Sequence, residues 1–225
     1  MSGPVTGLIA FDLDGTLVDS AADLAAAASA LTESLGGRSL GRDEVVAMVG
    51  EGAALLVRRA LTAAALDPDT PDALPRFLAL YDERLLDTTR LYPGLGPVLT
   101  HLEPLLPLAV VTNKPLAPAL RLLDGLGLRS QFVEVLGGDG PLPRKPDPAG
   151  VLSLAPHARG GPIVYVGDSH VDAETAARAG VPFVLAGYGF GATRVAPDTT
   201  PFVAATPRDL PRVIGDALRL GRLRD

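Results

Sequence analysis

Cysteine and tryptophan are absent from the chain, aromatic residues make up only 4%, and there are three histidines. Without cysteine there is no disulfide framework, no thiol nucleophile and no thiolate ligand for zinc or an iron–sulfur cluster. His101, His157 and His170 show no metal-ligand spacing, so a metal site here would be oxygen-rich. Positive charge is in deficit, with a net charge of −6, which removes any general attraction to nucleic acid or anionic lipid. No helical pattern is long and uncharged enough to span a bilayer, and there is no internal repeat or low-complexity tail. The first six residues lack a basic region, and the apolar run Leu8–Phe11 is cut short by Asp12, so no signal peptide is expected and the cytoplasm is the default location.

Lysine is almost missing too. The chain has eighteen arginines, two lysines and a single asparagine. Lys114 follows Asn113, and Lys145 lies in Arg144-Lys145-Pro146-Asp147-Pro148. A lysine is a compact point charge and an arginine a wide planar fork, so retaining two ammonium groups among so many guanidinium groups hints at tight sites.

The 225 residues slightly exceed the ~100–200 of one domain and suggest one domain with a modest insertion. The apolar content of 47% and charged content of 20% fit a globular chain with a sizeable core. Short β-type runs occur at 7–13, 108–112, 132–136, 163–167 and 183–186, mostly continuous apolar stretches bounded by Gly, Pro or Asp, as strands buried on both faces require. Helical patterns at 115–126, 148–154 and 171–179 alternate with the later runs, which predicts βαβ units and a parallel sheet. Residues 20–91 break this rhythm with helical patterns at 21–35, 42–49, 53–66 and 72–86 and no good strand run. The expected architecture is a doubly wound, Rossmann-like α/β core of residues 1–19 and 92–225, closed by a helix at 208–220, with an inserted α-helical cap at 20–91.

The most informative segment is Phe11-Asp12-Leu13-Asp14-Gly15-Thr16 at the end of the first strand. Alternation along a strand would put the Asp12 and Asp14 carboxylates on one face with Leu13 turned into the core. Two carboxylates ~4 Å apart repel by about 4 kcal/mol at an effective dielectric near 20, so the pair needs a cation, a shared proton or the departure of one side chain. An Asp-Gly turn alone is the plain alternative. Three further segments fall where an open parallel sheet holds its ligands, past the carboxyl ends of strands. Thr112-Asn113 could donate to phosphate oxygens or be an ordinary helix cap, and Lys145 could pair with a carboxylate and a phosphoryl oxygen. Gly167-Asp168-Ser169-His170-Val171-Asp172 adds two carboxylates, or else only a capped helix start. Four acidic groups and one lysine would suit Mg²⁺.

With these residues in order, the chain resembles the haloacid dehalogenase-like hydrolase superfamily, and within it phosphatases of the phosphoglycolate phosphatase type with a helical cap. The family's four motifs match Asp12 to Thr16, Thr112, Lys145, and Gly167 to Asp172. The resemblance implies that Asp12 is a nucleophile forming an aspartyl-phosphate and Asp14 the general acid and base. It implies Mg²⁺ held by the Asp12 carboxylate, the Asp14 carbonyl and Asp168, with Asp172 behind them. Thr112 and Asn113, with Gly15 and Thr16, would hold the phosphoryl group, and Lys145 would screen its charge. Sugar-phosphate mutases share both aspartates, but Thr112-Asn113-Lys114-Pro115 resembles the phosphatases more. A non-catalytic phosphometabolite-binding regulator is the third alternative. Substrate choice is expected in the cap, at Gly50-Glu51-Gly52 before the 53–66 helix, where a plain helix–helix turn is the alternative. Arg58 and Arg59 could bind a substrate carboxylate, but on the helix they lie opposite Leu56, Val57, Ala60 and Leu61, which favours a solvated face; Arg144 precedes Lys145 in a segment where many relatives place a further lysine. The expected partner is a small phosphorylated metabolite, with 2-phosphoglycolate leading, and the chain would act as a monomer or homodimer.

Overall fold

The computed structural model describes residues 6–219. The reading of the N-terminal leader falls mostly on residues 1–5, and the expected end of the closing helix on Leu220, outside the described residues.

In chain order the elements are β1 (Leu8–Phe11), β2 (Val18–Asp19), α1 (Ala21–Ser34), α2 (Arg42–Val46), α3 (Ala53–Ala63), α4 (Ala73–Arg84) and β3 (Arg90–Leu91). They continue with α5 (Leu95–Leu102), β4 (Leu108–Val111), α6 (Leu116–Gly125), β5 (Phe132–Leu136), α7 (Ala149–Leu152) and β6 (Ile163–Gly167). The chain then forms α8 (His170–Ala179), β7 (Phe183–Ala186), β8 (Val203–Ala204) and α9 (Leu210–Ala217). Six strands form one sheet in the order β5-β4-β1-β6-β7-β8, parallel throughout. Chain direction across the sheet reverses between β1 and β6, which is the switch point where doubly wound sheets open a crevice for ligands.

Strand alternation builds two cores. Ile9, Phe11, Leu108, Val110, Val164 and Val166 pack into one, beneath α5, α6 and α9. Leu8, Ala10, Ala109, Val111, Ile163 and Tyr165 pack into the other, beneath α7 and α8. This double burial is why the strand segments read as unbroken apolar runs.

The α1–α4 segment, here called the cap, lies between the antiparallel pair β2 and β3. Its apolar residues join the first core: Leu31 of α1, Leu61 of α3 and Phe77 of α4 are almost wholly buried. A single carboxylate ties its two ends together. Asp23, buried in α1, accepts hydrogen bonds from the backbone N–H of Thr88 (3.0 Å) and Thr89 (2.8 Å) and from both hydroxyls. These contacts hold its carboxyl below the usual range although burial opposes them.

Several boundaries differ from expectation. The first strand ends at Phe11 rather than residue 13, because the Leu13 carbonyl turns to accept from the N–H groups of Thr16, Leu17 and Val18. Helix α2 stops at Val46, where the Met48 and Val49 N–H groups bond three residues back in a tightening turn. Strand β8 and the β2–β3 pair are two residues long, too short to leave a periodic signal. No described helix is long and apolar enough to cross a membrane.

Candidate active site

The switch point puts the ends of β1 and β6 side by side, with Phe11 paired to Val166 and the Asp12 N–H donating to the Val166 carbonyl at 2.9 Å. Asp12 and Asp168 therefore emerge next to each other. Asp172, in the first turn of α8, joins them, and one carboxylate oxygen from each of the three lies within 4.8 Å of the others. Ser169 fixes this geometry: its N–H and Oγ donate to Asp172 Oδ2 at 3.0 and 2.5 Å, a capping box that leaves Oδ1 facing inward. The helix-capping reading of this segment holds, and it leaves Asp172 Oδ1 free of the cap to meet Lys145.

Lys145 enters from the loop after β5 and stands between the carboxylates. Its Nζ donates to Asp12 Oδ1 (2.7 Å), Asp172 Oδ1 (2.6 Å) and the Tyr165 hydroxyl (3.0 Å), using all three ammonium hydrogens. Tyr165 in turn donates to the Val111 carbonyl at 2.9 Å. One ammonium does not balance three buried carboxylates. Burial pushes the Asp12 carboxyl up to about 7, with Asp172 adding and Lys145 opposing. Burial and the charges of Asp172 and Asp12 push Asp168 well above its ordinary value, against a 2.7 Å hydrogen bond from the Gly191 N–H. An excess of buried carboxylate oxygen is the donor set a hard divalent cation requires, so these residues fit Mg²⁺. Room around Asp168 is tight: a Cβ on Gly15 would lie 2.2 Å from Asp168 Oδ2, and Gly15 has φ +91°, so only glycine fits this turn.

Asp14 requires a correction. Asp14 lines the same cleft as Asp12 and its charge adds to the rise of the Asp12 carboxyl, but β1 ends at Phe11, so a turn rather than strand pleating places it, beside a second cation. Lys114 Nζ donates to its two oxygens at 3.1 and 3.0 Å, and Ser20 Oγ donates to Oδ1 at 2.6 Å. Lys114 also donates to the Tyr81 hydroxyl of α4 at 2.7 Å. Burial lowers the ammonium's affinity for its proton, but the Asp14 charge outweighs it and the net shift is upward. Burial raises the Tyr81 hydroxyl to about 12, so it stays protonated. Sequence reasoning noticed the scarcity of lysine but gave Lys114 no role, and Tyr81 left no signal beyond a position in an amphipathic helix.

Asp12, Asp14, Thr112, Asn113 and Lys114 form the sheet side of a cleft whose cap side is Leu24, Val49, Ala53, Leu56, Phe77 and Leu78. Non-atom space in the cleft, its mouth included, amounts to about 560 Å³. Asn113 is not a helix cap, since α6 starts only at Leu116, where Asp139 accepts the first N–H. Its Nδ2 instead bridges the Gly50 carbonyl (3.0 Å) and the Lys145 carbonyl (2.9 Å), joining the cap to the core. Gly50 and Gly52 line the cleft. Glu51 does not: its carboxylate is taken by Arg59 at 2.6 Å, so its assignment to substrate is corrected, and Arg59 is correspondingly less solvated than expected. Thr16 is fully buried, and its hydroxyl has no partner among the described residues.

Comparison with known proteins agrees with this geometry. The model of the haloacid dehalogenase-like hydrolases matches residues 6–180, and the chain belongs to that family. Phosphoglycolate phosphatases of Rhodospirillum rubrum and Rhodobacter capsulatus are 42% and 40% identical to it over 84% and 81% of this chain and 82% and 85% of theirs. The crystal structure of a predicted phosphoglycolate phosphatase from Haemophilus somnus superposes with a TM-score of 0.85 at 32% identity, covering 92% of this chain and 97% of that one. Within the family the chain is therefore an enzyme of the phosphatase class, similar to phosphoglycolate phosphatases.

Proposed function

We propose that this phosphatase is a Mg²⁺-dependent phosphomonoester hydrolase that works through an aspartyl-phosphate on Asp12, with 2-phosphoglycolate as its substrate. The observation that carries the reading is the buried Asp12–Lys145–Asp172 arrangement beside Asp168 at the sheet's switch point. Asp12 is buried and oriented by Lys145, so an oxygen is presented for in-line attack on phosphorus. As that P–O bond forms, the ester P–O bond breaks and the leaving oxygen takes a proton from Asp14. Asp14 then removes a proton from the water that attacks the acyl phosphate, releasing phosphate and restoring Asp12. The Thr112 hydroxyl, the Asn113 amide and the Gly15-Thr16 turn hold phosphoryl oxygens, while Lys145 offsets their charge. Mg²⁺ held by the Asp12 carboxylate, the Asp14 backbone carbonyl and Asp168, with Asp172 behind them, would neutralise the mutual repulsion of nucleophile and phosphate. A small phosphorylated metabolite is the expected partner, with no nucleic acid, in the cytoplasm, and as a monomer or homodimer.

The test is phosphate release from a panel of phosphomonoesters with and without Mg²⁺, for the parent chain and Asp12→Asn. We expect Mg²⁺-dependent release, reduced by about 10⁴-fold or more in the variant, and a phosphorylated Asp12 in the mass spectrum of quenched turnover. Conversion of a sugar phosphate without phosphate release would indicate a mutase instead.

A further inference from the structure

The charged residues lining the cleft are Asp12, Asp14 and Lys114, so the open part of the cleft faces one cation. That cation is 7% exposed and sits 4.4 Å from the centroid of the Tyr81 ring, which stacks on Phe77 with 6.0 Å between centroids. Tyr81 is 3% exposed, and its hydroxyl oxygen accepts from Lys114. Among the described residues its own proton has no acceptor. A buried hydroxyl donor without an acceptor is costly, and it lies beside an ammonium at the wall of the cleft. The remaining cap wall, Leu24, Val49, Leu56, Phe77 and Leu78, offers no hydrogen-bonding side chain. A polyol leaving group would lose the hydration of its hydroxyls there and regain little. A short alcohol bearing one anion meets an ammonium and a hydroxyl donor together, and Gly52 and Ala53, the N-cap and first residue of α3, line the same cleft with the positive end of an eleven-residue helix.

Building on the phosphatase reading, we infer that Lys114 and Tyr81 are specificity residues that receive a carboxylate on the leaving alcohol. The enzyme thereby selects small phosphomonoesters of hydroxy acids over uncharged alkyl phosphates and sugar phosphates. The Lys114 ammonium, which here meets both Asp14 oxygens and Tyr81, keeps one Asp14 oxygen and turns the other hydrogen to this carboxylate, so recognition of the leaving group is coupled to the residue that protonates its oxygen. Tyr81 supplies the cap's share of the receptor, which makes selection depend on the cap lying over the core.

The test compares 2-phosphoglycolate with ethyl phosphate, which has a methyl group in place of the carboxylate. The parent chain should favour 2-phosphoglycolate in kcat/KM by about 100-fold or more, as expected for a buried polar receptor. Lys114→Met should lower both rates, because Asp14 loses a partner, yet shrink the preference at least about tenfold through KM. Tyr81→Phe keeps the ring stack and should shrink it by about three- to tenfold. An equal fall for both esters would assign Lys114 to Asp14 alone and overturn the inference. A parent chain that hydrolyses neither ester would instead refute 2-phosphoglycolate as the substrate. A measurement on the unmodified chain does not depend on the variants folding: with two lysines in the sequence, ¹⁵N-lysine labelling gives two side-chain ammonium signals. With Mg²⁺ present, 3-phosphonopropionate should shift one of them in a way that propylphosphonate does not, and identical responses to the two ligands would overturn the inference.

Discussion

On the sheet side of the cleft, three carboxylates and an ammonium are buried within a few ångströms, the carboxylates fixed by hydrogen bonds from Lys145, Ser169 and the Gly191 N–H. On the cap side, a wall of leucine, valine and phenylalanine presents one tyrosine hydroxyl. The sheet side meets what every phosphomonoester has, a phosphoryl group and its charge, and it needs preorganised charge to do so. The cap side meets what distinguishes one ester from another, and an apolar wall with a single polar feature discriminates sharply because an unmatched polar group on the ligand has no partner. In the reading proposed above, chemistry falls to the sheet side and selection to the cap together with Lys114, and the two sides are joined by Asn113 to Gly50, Lys114 to Tyr81 and Arg194 to the Val46 carbonyl.

The strongest way to break the sheet side while leaving the cap intact is Lys145→Arg. Net charge is retained, but the compact ammonium that reaches Asp12, Asp172 and Tyr165 at once would become a planar fork too wide for a site whose side chain is 3% exposed. We expect kcat to fall by about 10²–10³-fold, or about 3–4 kcal/mol, with the fold retained. Phosphate release measured beside circular dichroism checks this, and near-parent turnover would show that charge suffices without shape.

The corresponding break on the cap side is Asp23→Ala. It removes the acceptor of four hydrogen bonds and leaves the Thr88 and Thr89 N–H groups without that partner, a loss of about 2–3 kcal/mol in unfolding free energy. Because its folded-state pKa is lowered, the Asp23 contribution is fully present well above its unfolded value of 3.8 and is lost as pH falls through the lower folded value. Urea denaturation of both proteins at neutral and acidic pH should therefore show a gap that closes on acidification. A gap independent of pH would mean that packing rather than the carboxylate holds the cap ends.

The same division explains which parts of the molecule were legible in the sequence. The sheet announced itself because doubly buried strands must be continuous apolar runs, and the carboxylates because they sit at strand ends in a recognisable spacing. Lys145 stood out by rarity and by its motif. Strand alternation does not account for Asp14, which lies three residues past the end of β1 in a turn closed by the Leu13 carbonyl. Glu51 was misassigned since its partner, Arg59, is set by the pitch of α3 and the approach of the 50–52 loop. Tyr81 was invisible because its role depends on where α4 comes to rest against Lys114, a tertiary fact that no local pattern encodes.

A smaller effect would sharpen the contrast by titrating the sheet side alone. Asp12 is raised to about 7 and Asp168 is raised well above its usual range, both chiefly by burial. For a carboxyl whose folded pKa lies above its unfolded value, the favourable contribution is complete below the unfolded value of 3.8 and disappears as pH rises through the folded one. The metal-free protein should accordingly lose stability between pH 4 and about 7, as these carboxylates are forced to ionise together. Mg²⁺ binds the ionised form and competes with protons, so its affinity should rise by up to about tenfold per pH unit, or about 1.4 kcal/mol, for each proton displaced. Thermal shifts recorded at a fixed Mg²⁺ concentration should therefore grow from pH 5 through pH 7, the range over which Asp12 ionises. Asp12→Asn removes one of the competing protons and one of the ligands together, so it should lower the shift and flatten its pH dependence; the Asp23→Ala cap variant should keep the slope of the parent. A Mg²⁺ shift of constant size across this range would show that the ion binds away from the buried carboxylates.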